Sequence, residues 1–414
     1  MMTTGVTPEM DRRNGWLFLA MYIFVYLAAP VTYVGVVQAT LCSRIGADAT
    51  IANLPASSFL FGGFAPLVLS LIVPHRLERR LLVYSNAITA VLLGAVFVTL
   101  AMNAPPRVIL VVLVTQGLLQ GFTNASSQIF TFQCLARGTT EEGRNRAFKR
   151  TFALTPFCAV SGSLLAQYIL SGGLQSIRFP WDFAALYGIG LVCLLAITVL
   201  SARLQLAPMD DDPPQPFLRE LADSTASFIR SRPLMLLLVS YTLWNCVLAI
   251  APTLALFSRE AISREPAELS GLMMALRFGC KSIGGWLLGA IALRWGARFS
   301  VMTTHLLLAA GVIWASVVPG YPFLFAFGLI GAGELGGAWM PNYGITLSRP
   351  QVAARNISIL TLALPASSFA PAMLGYVADQ AGFRWSFAAA AVLAAIALAA
   401  TMLIREPDDA RKSA

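Results

Sequence analysis

Two cations and one acid stand in stretches otherwise apolar enough for hydrocarbon. Arg277 and Lys281 are four residues apart, and Glu334 sits in Gly331-Ala332-Gly333-Glu334-Leu335-Gly336-Gly337. Four-residue spacing places Arg277 and Lys281 on one face of a helix. An ionised side chain at a membrane-helix centre costs about 2.5–3.5 kcal/mol on insertion scales, and such residues are paired, cavity-facing and functional as a rule. Two readings follow. Glu334 and the cations form an ion pair that holds two helices together. Alternatively Arg277 and Lys281 attract the negative group of a solute, while Glu334 exchanges a proton or partners the cations when the site is empty. Two cations against one acid leave a surplus positive charge that a purely structural pair does not need.

Neutral polar groups add a second set of candidates. Gln116, Gln120, Asn124 and Gln128 recur every four residues, a slowly rotating stripe on one helix that can hydrogen-bond a solute or simply tie helices together. Tyr22, Tyr26 and Tyr33 share one helix face, with Tyr22 equally suited to anchoring at the membrane interface. Trp244 and Asn245, and Asn342 with Tyr343 after Pro341, complete the set, although an aromatic in an apolar helix more often packs than binds.

The elements that must carry these residues are apolar helices. A bilayer core about 30 Å thick is crossed by roughly 20 helical residues, and lipid leaves no alternative partner for the backbone. Twelve such stretches are expected, at 15–41, 57–74, 81–102, 108–135, 151–170, 183–201, 234–257, 271–293, 299–318, 323–346, 357–377 and 385–404. The mean hydropathy of +0.71 and the 12% of charged residues agree with a multi-pass membrane protein. The first run is too long for a signal peptide and is kept as the first helix. On this reading Lys281 and Glu334 lie at matching depth, about 16 Å from the outer ends of their helices.

Net charge is +9, yet its placement argues against a nucleic-acid partner. Of 29 Lys and Arg, 21 fall in one alternate set of loops and tails and 6 in the other. Positive loops stay inside, so both termini are expected in the cytoplasm, with an inner bacterial membrane as the location. The six cysteines are scattered without CxxC spacing, which implies neither metal nor disulfides. There is no phosphate-binding glycine loop, no HExxH and no nucleophile with a base, so ATP-driven transport and enzymatic activity are not expected. Of the two histidines, His305 is expected to be packed or interfacial. Pro30, Pro156, Pro252, Pro341, Pro365 and Pro371 fall within expected helices and permit bends.

The only long polar interruption, 202–233, contains Asp210-Asp211-Asp212-Pro213-Pro214 and divides the chain into six-helix bundles at 1–201 and 234–414. A short amphipathic helix is expected near 217–230. The halves echo each other. Trp181-Asp182-Phe183-Ala184-Ala185 matches Trp385-Ser386-Phe387-Ala388-Ala389. Thr151–Pro156 matches Thr361–Pro365, and Arg144-Asn145 matches Arg355-Asn356. Matching order and spacing point to duplication, and parallel repeats of this kind place a transporter's site between the halves near the midplane.

Gly289-Ala290-Ile291-Ala292-Leu293-Arg294-Trp295-Gly296-Ala297-Arg298 resembles the cytoplasmic signature G-x-x-x-D-R-x-G-x-R of the major facilitator superfamily. Its first-half counterpart, Ser70 to Arg79, is degenerate, and Thr140 to Ala147 is similar to the family's loop ahead of helix 5. The resemblance implies an all-α membrane protein of twelve helices in two pseudo-symmetric bundles, working by alternating access. In that signature Gly289 and Gly296 allow close packing and a tight turn, while Arg294 and Arg298 anchor the loop. The signature acid is replaced by Leu293 and Pro74, and Thr155 precedes Pro156 where drug antiporters carry glycine. Sugar-porter signatures are missing. Glu334 resembles, in helix and depth, the proton-handling glutamate of the lactose permease family. The family also implies that the third helix of each triplet is peripheral.

The expectation is therefore a secondary transporter, a monomer without cofactor, whose partners are a small organic anion or zwitterion, protons and lipid. Efflux of a hydrophobic drug-like compound, or solute sensing without transport, are the alternatives.

Overall fold

The computed structural model describes residues 6–64, 69, 77–173, 177–207, 225–348 and 353–405. They form helices joined by short turns, with no strand among the described residues. Twelve segments follow in chain order. The first half holds α1 (Pro8–Leu27, continued by Ala29–Thr32 and Val36–Arg44), α2 (Ala49–Ala52 and Leu54–Gly62), α3 (Glu78–Ala101), α4 (Pro106–Gly138), α5 (Glu141–Leu170) and α6 (Trp181–Ala202). The second holds α7 (Arg232–Leu248 and Ala251–Leu256), α8 (Pro266–Trp295), α9 (Ala297–Val317), α10 (Phe325–Gly333 and Gly336–Thr346), α11 (Ala353–Leu360, Ala363–Ala366 and Ala370–Ala381) and α12 (Phe383–Met402).

Among the described residues nine helices are long and apolar enough to cross a bilayer. The other three expected spans differ for separate reasons. α1 breaks after Leu27, the helix of α2 is described only to Gly62 with 65–68 and 70–76 outside the described residues, and α8 is continuous but made less apolar by its two cations. Large apolar side chains such as Trp286, Phe157 and Val91 point outward, 79%, 71% and 70% exposed. Such a surface is costly in water and is the contact surface for lipid tails in a bilayer. This is an integral, multi-pass membrane fold.

Each half builds its own apolar core. One is centred on α1, α3, α4 and α6 through Leu82, Leu93, Leu113 and Phe183, the other on α7 to α12 through Leu237, Met273, Phe327 and Phe387. His305 lies in the second half, buried against Ser240 Oγ at 2.9 Å and Thr401 Oγ1 at 3.2 Å. The expected packed role fits that environment.

Four of the six prolines coincide with breaks. Pro30, Pro252 and Pro371 open new helical pieces, and Pro365 lies in the short piece Ala363–Ala366. A proline cannot donate to the carbonyl four residues back, so the ladder ends there. Pro156 and Pro341 are instead absorbed inside continuous helices. The segment read as a loop ahead of α5 is helical. Thr140 caps it, its hydroxyl accepting from Gly143 N at 3.0 Å, and the helix runs from Glu141.

Of the connector, residues 225–230 are helical, whereas Asp210–Asp212 and Pro213-Pro214 lie outside the described residues. So do Pro74 and most of the degenerate first-half signature. The second-half signature closes α8. Gly296 takes φ +92°, a left-handed conformation that glycine adopts without strain, and Arg298 donates to Met402 O at 2.6 Å. Arg294 lies over the Trp295 ring, 5.1 Å from its centroid. At Gly289 the expected close helix contact is not seen: a Cβ there would meet nothing within 4 Å among the described residues.

Polar contacts between the halves gather at the end carrying the α1–α2 and α7–α8 turns. Asp379 of α11 accepts from Ala49 N at 2.9 Å, Thr50 N at 2.7 Å and Thr50 Oγ1 at 2.5 Å, capping the first turn of α2. Asn53 Nδ2 donates to Thr253 Oγ1 at 3.1 Å. Gln167 of α5 accepts from Leu272 N at 2.8 Å and donates to Glu268 O on α8. Between these contacts and the opposite end, a central cavity of about 670 Å³ lies between the halves.

Candidate functional site

The cavity's charged wall begins with a break in α10. Gly331 to Gly337 carries four glycines, and here the ladder changes step. Glu334 N still reaches Ile330 O at 2.8 Å, but Leu335 N turns to Ala332 O and Gly337 N to Glu334 O. The Gly333 carbonyl, which Gly337 would otherwise engage, instead accepts from Trp244 Nε1 at 3.1 Å. Trp244 thus lines the cavity with its indole N–H already committed.

Small residues let α10 reach α8. A Cβ on Gly331 would run into the Arg277 carbonyl, and one on Gly284 would come within 2.9 Å of Ala332 Cβ. The contact brings the three charges together. Arg277 Nε donates to Glu334 Oε2 at 2.9 Å, and Lys281 Nζ to Glu334 Oε1 at 3.0 Å. The fourth member comes from the other half. α1 breaks where Pro30 removes a ladder bond, and Tyr33 follows with ψ 83°, outside the helical range. Its hydroxyl donates to Glu334 Oε1 at 2.5 Å and accepts from Lys281 Nζ at 3.2 Å. Both cations lie 5.5 Å from the centre of its ring, a cation–π distance. Phe278 packs edge-on against Tyr33, with centroids 5.4 Å apart, and against Tyr26 at 6.2 Å.

Glu334 and Arg277 are each 7% exposed, and three donors engage the carboxylate. Arg277 is used less fully. Among the described residues nothing accepts a hydrogen bond from its two terminal nitrogens, although the residue lines the cavity. A guanidinium edge of this kind matches a planar oxyanion. The cluster keeps one formal positive charge in excess.

Of the other sequence-derived candidates, Tyr22, Tyr26, Gln120, Asn124, Gln128, Trp244 and Asn245 line the same cavity. Asn245 spends its amide on Tyr241 O at 2.9 Å. Gln116 and Asn342 are not among the lining residues. Gln116 is buried and donates to Gln120 Oε1 at 2.8 Å, while Gln120 donates to Thr32 O at 2.9 Å, which is the helix-tying role. Asn342 is exposed on another face of α10. Sequence reasoning missed Asn86 on α3, which also lines the cavity. The Ser85-Asn86 pair in an apolar span was its signal, masked by the expectation that α3 is peripheral.

No protein-family model and no curated protein matches the chain by sequence. Similarity appears in three dimensions. The nucleoside transporter NupG superposes with a TM-score of 0.71 at 13% identity, over 95% of this chain and 100% of that one. The POT family transporter PepTSo gives 0.70 at 12% identity, over 95% and 97%. The E. coli fucose:proton symporter FucP gives 0.60 at 14%, over 95% and 98%. The chain has the two-bundle fold of the major facilitator superfamily transporters.

Proposed function

We propose that the protein is a secondary active transporter of the major facilitator superfamily, moving a small organic anion or zwitterion by alternating access with coupling to protons. Its two bundles are 1–201 and 234–414, joined by a cytoplasmic connector at 202–233. Both termini face the cytoplasm of a bacterial inner membrane, as the loop arginines argue. The observation that carries the substrate class is the partly unspent guanidinium of Arg277, beside Lys281, in a cavity between the halves. The similarity to the fucose:proton symporter FucP supports the coupling.

Glu334 and the solute's negative group compete for the same cations. When the anion takes Arg277 and Lys281, Glu334 leaves them carrying a proton, and when the anion departs it returns ionised. Because Tyr33 reaches the cluster from the opposite half, each exchange also makes or breaks a link across the cavity. A structural role for the ion pair competes with this reading, since removing one partner of a buried pair costs about 3–5 kcal/mol. The two are separable by measurement. With a panel of carboxylates and their neutral amides, Arg277→Gln and Lys281→Gln should weaken carboxylate binding at least about tenfold, or about 1.4 kcal/mol, and leave the amides nearly unchanged. Equal losses for both members of each pair, in protein of normal melting temperature, would reject the anion site.

A further inference from the structure

The wall of the cavity formed by the first half carries an amide with half of its hydrogen bonding unspent. Asn86 is 4% exposed and lines the cavity, yet its Nδ2 has no partner among the described residues. Its Oδ1 is fixed by Ser127 Oγ of α4, which donates at 2.8 Å. One turn further along, Thr89 and Thr123 hold α3 and α4 together through their hydroxyls at 2.8 Å. The Asn86 side chain is therefore oriented by α4 while its donor remains uncommitted. A buried donor of this kind needs a partner, and because the nitrogen is itself covered in this conformation, an incoming ligand supplies that partner by a turn of the amide toward the cavity.

We propose that Asn86 Nδ2 is a specificity-determining donor for a neutral carbonyl or hydroxyl oxygen of the transported anion. The substrate class is then an elongated carboxylate with a second, uncharged acceptor, which rests on the anion reading of Arg277 and Lys281. α4 sets the elongation. Gln120 touches α1 at Thr32, beside Tyr33 of the charged cluster, and Ser127 holds Asn86 seven residues further on. At 1.5 Å per residue these points are about 10 Å apart along α4. Asn124 and Gln128 lie on the same stripe and flank the path. The charged end and the neutral end of the ligand would thus be read by different halves of the protein.

The test uses matched probes: ω-acetamidoalkanoates with four to ten methylenes, each against the unbranched alkanoate of equal length, binding to purified protein in nanodiscs. In the wild type at least one acetamido chain should bind about tenfold tighter than its alkanoate, a difference of about 1.4 kcal/mol. In Asn86→Leu the ratio should fall to about one with alkanoate affinity retained. Asn86→Ser, which keeps a hydroxyl for Ser127 but shortens the donor, should do the same if the leucine variant fails to fold. Arg277→Gln should weaken both probes equally. A wild-type ratio near one at every length, or a ratio unchanged in the Asn86 variants, overturns the proposal. If alkanoate binding still depends on Arg277 in that case, the anion site stands without it. A ratio that depends on Asn86 while Arg277→Gln has no effect removes the anion site instead. Failure of both probe classes to bind the wild type rejects both.

Discussion

At the level of single residues, Glu334 is the hub. Its two oxygens receive Arg277, Lys281 and Tyr33, so every change in its charge is felt on α8 of its own half and on α1 of the other. Glu334→Gln keeps the shape and removes the exchangeable proton. The expected outcome in proteoliposomes is loss of uphill accumulation under an imposed proton gradient, with solute exchange down its own gradient preserved. Accumulation at the wild-type level, still collapsed by a protonophore, would place the proton elsewhere and leave Glu334 with a structural role.

Among the elements, the α8–α10 contact decides whether the charges can meet. Glycine at 331 lets the α10 backbone approach the Arg277 carbonyl, and the neighbouring glycines permit the change of step at Glu334. Gly331→Leu forces the two helices apart, and overpacking of this sort costs about 1–3 kcal/mol. A lower melting temperature is expected, together with weaker carboxylate binding at temperatures where the variant is folded. Gly285→Ala, by contrast, meets only the end of Leu335 at 3.9 Å and should be nearly silent in both measurements. A Gly331 variant as stable and as tight-binding as the wild type would show that the close approach is unnecessary.

For the whole molecule, the proposed alternating access is an equilibrium between states open to either side, and Asp379 joins the two halves at one end. Three donors from the start of α2 converge on its carboxylate, from a helix of the other half. In the proposed orientation this end faces outward. Asp379→Asn removes the charge and turns one acceptor oxygen into a donor, a loss that solvent screens at this exposed carboxylate to about 1 kcal/mol. The population should shift toward an outward-open form. In a cysteine-free background carrying Ala56→Cys, a position that lines the cavity, labelling of intact cells by an impermeant maleimide should rise several-fold when Asp379→Asn is added. No increase would mean that this contact does not limit opening, or that the end faces inward.

The sequence by itself determined the helices, because a lipid-facing backbone has one economical solution and apolar runs of fixed length announce it. The expected spans at 81–102, 183–201 and 385–404 lie within a few residues of Glu78–Ala101, Trp181–Ala202 and Phe383–Met402. Arg277, Lys281 and Glu334 were legible for the same reason, since a charge in such a run stands out. Partnership was a matter for tertiary structure. Tyr33 joins Glu334 across 301 residues of chain through a bend at Pro30, and no local pattern encodes that reach. The amide stripe on α4 looked uniform, yet Gln116 turns into the bundle while Asn124 and Gln128 face the cavity, because helical rotation is resolved only by neighbours. Asn86 was hidden for the complementary reason. One asparagine in an apolar helix reads the same whether it ties two helices or faces a ligand, and only the packing of α3 against α4 shows its nitrogen without a partner among the described residues.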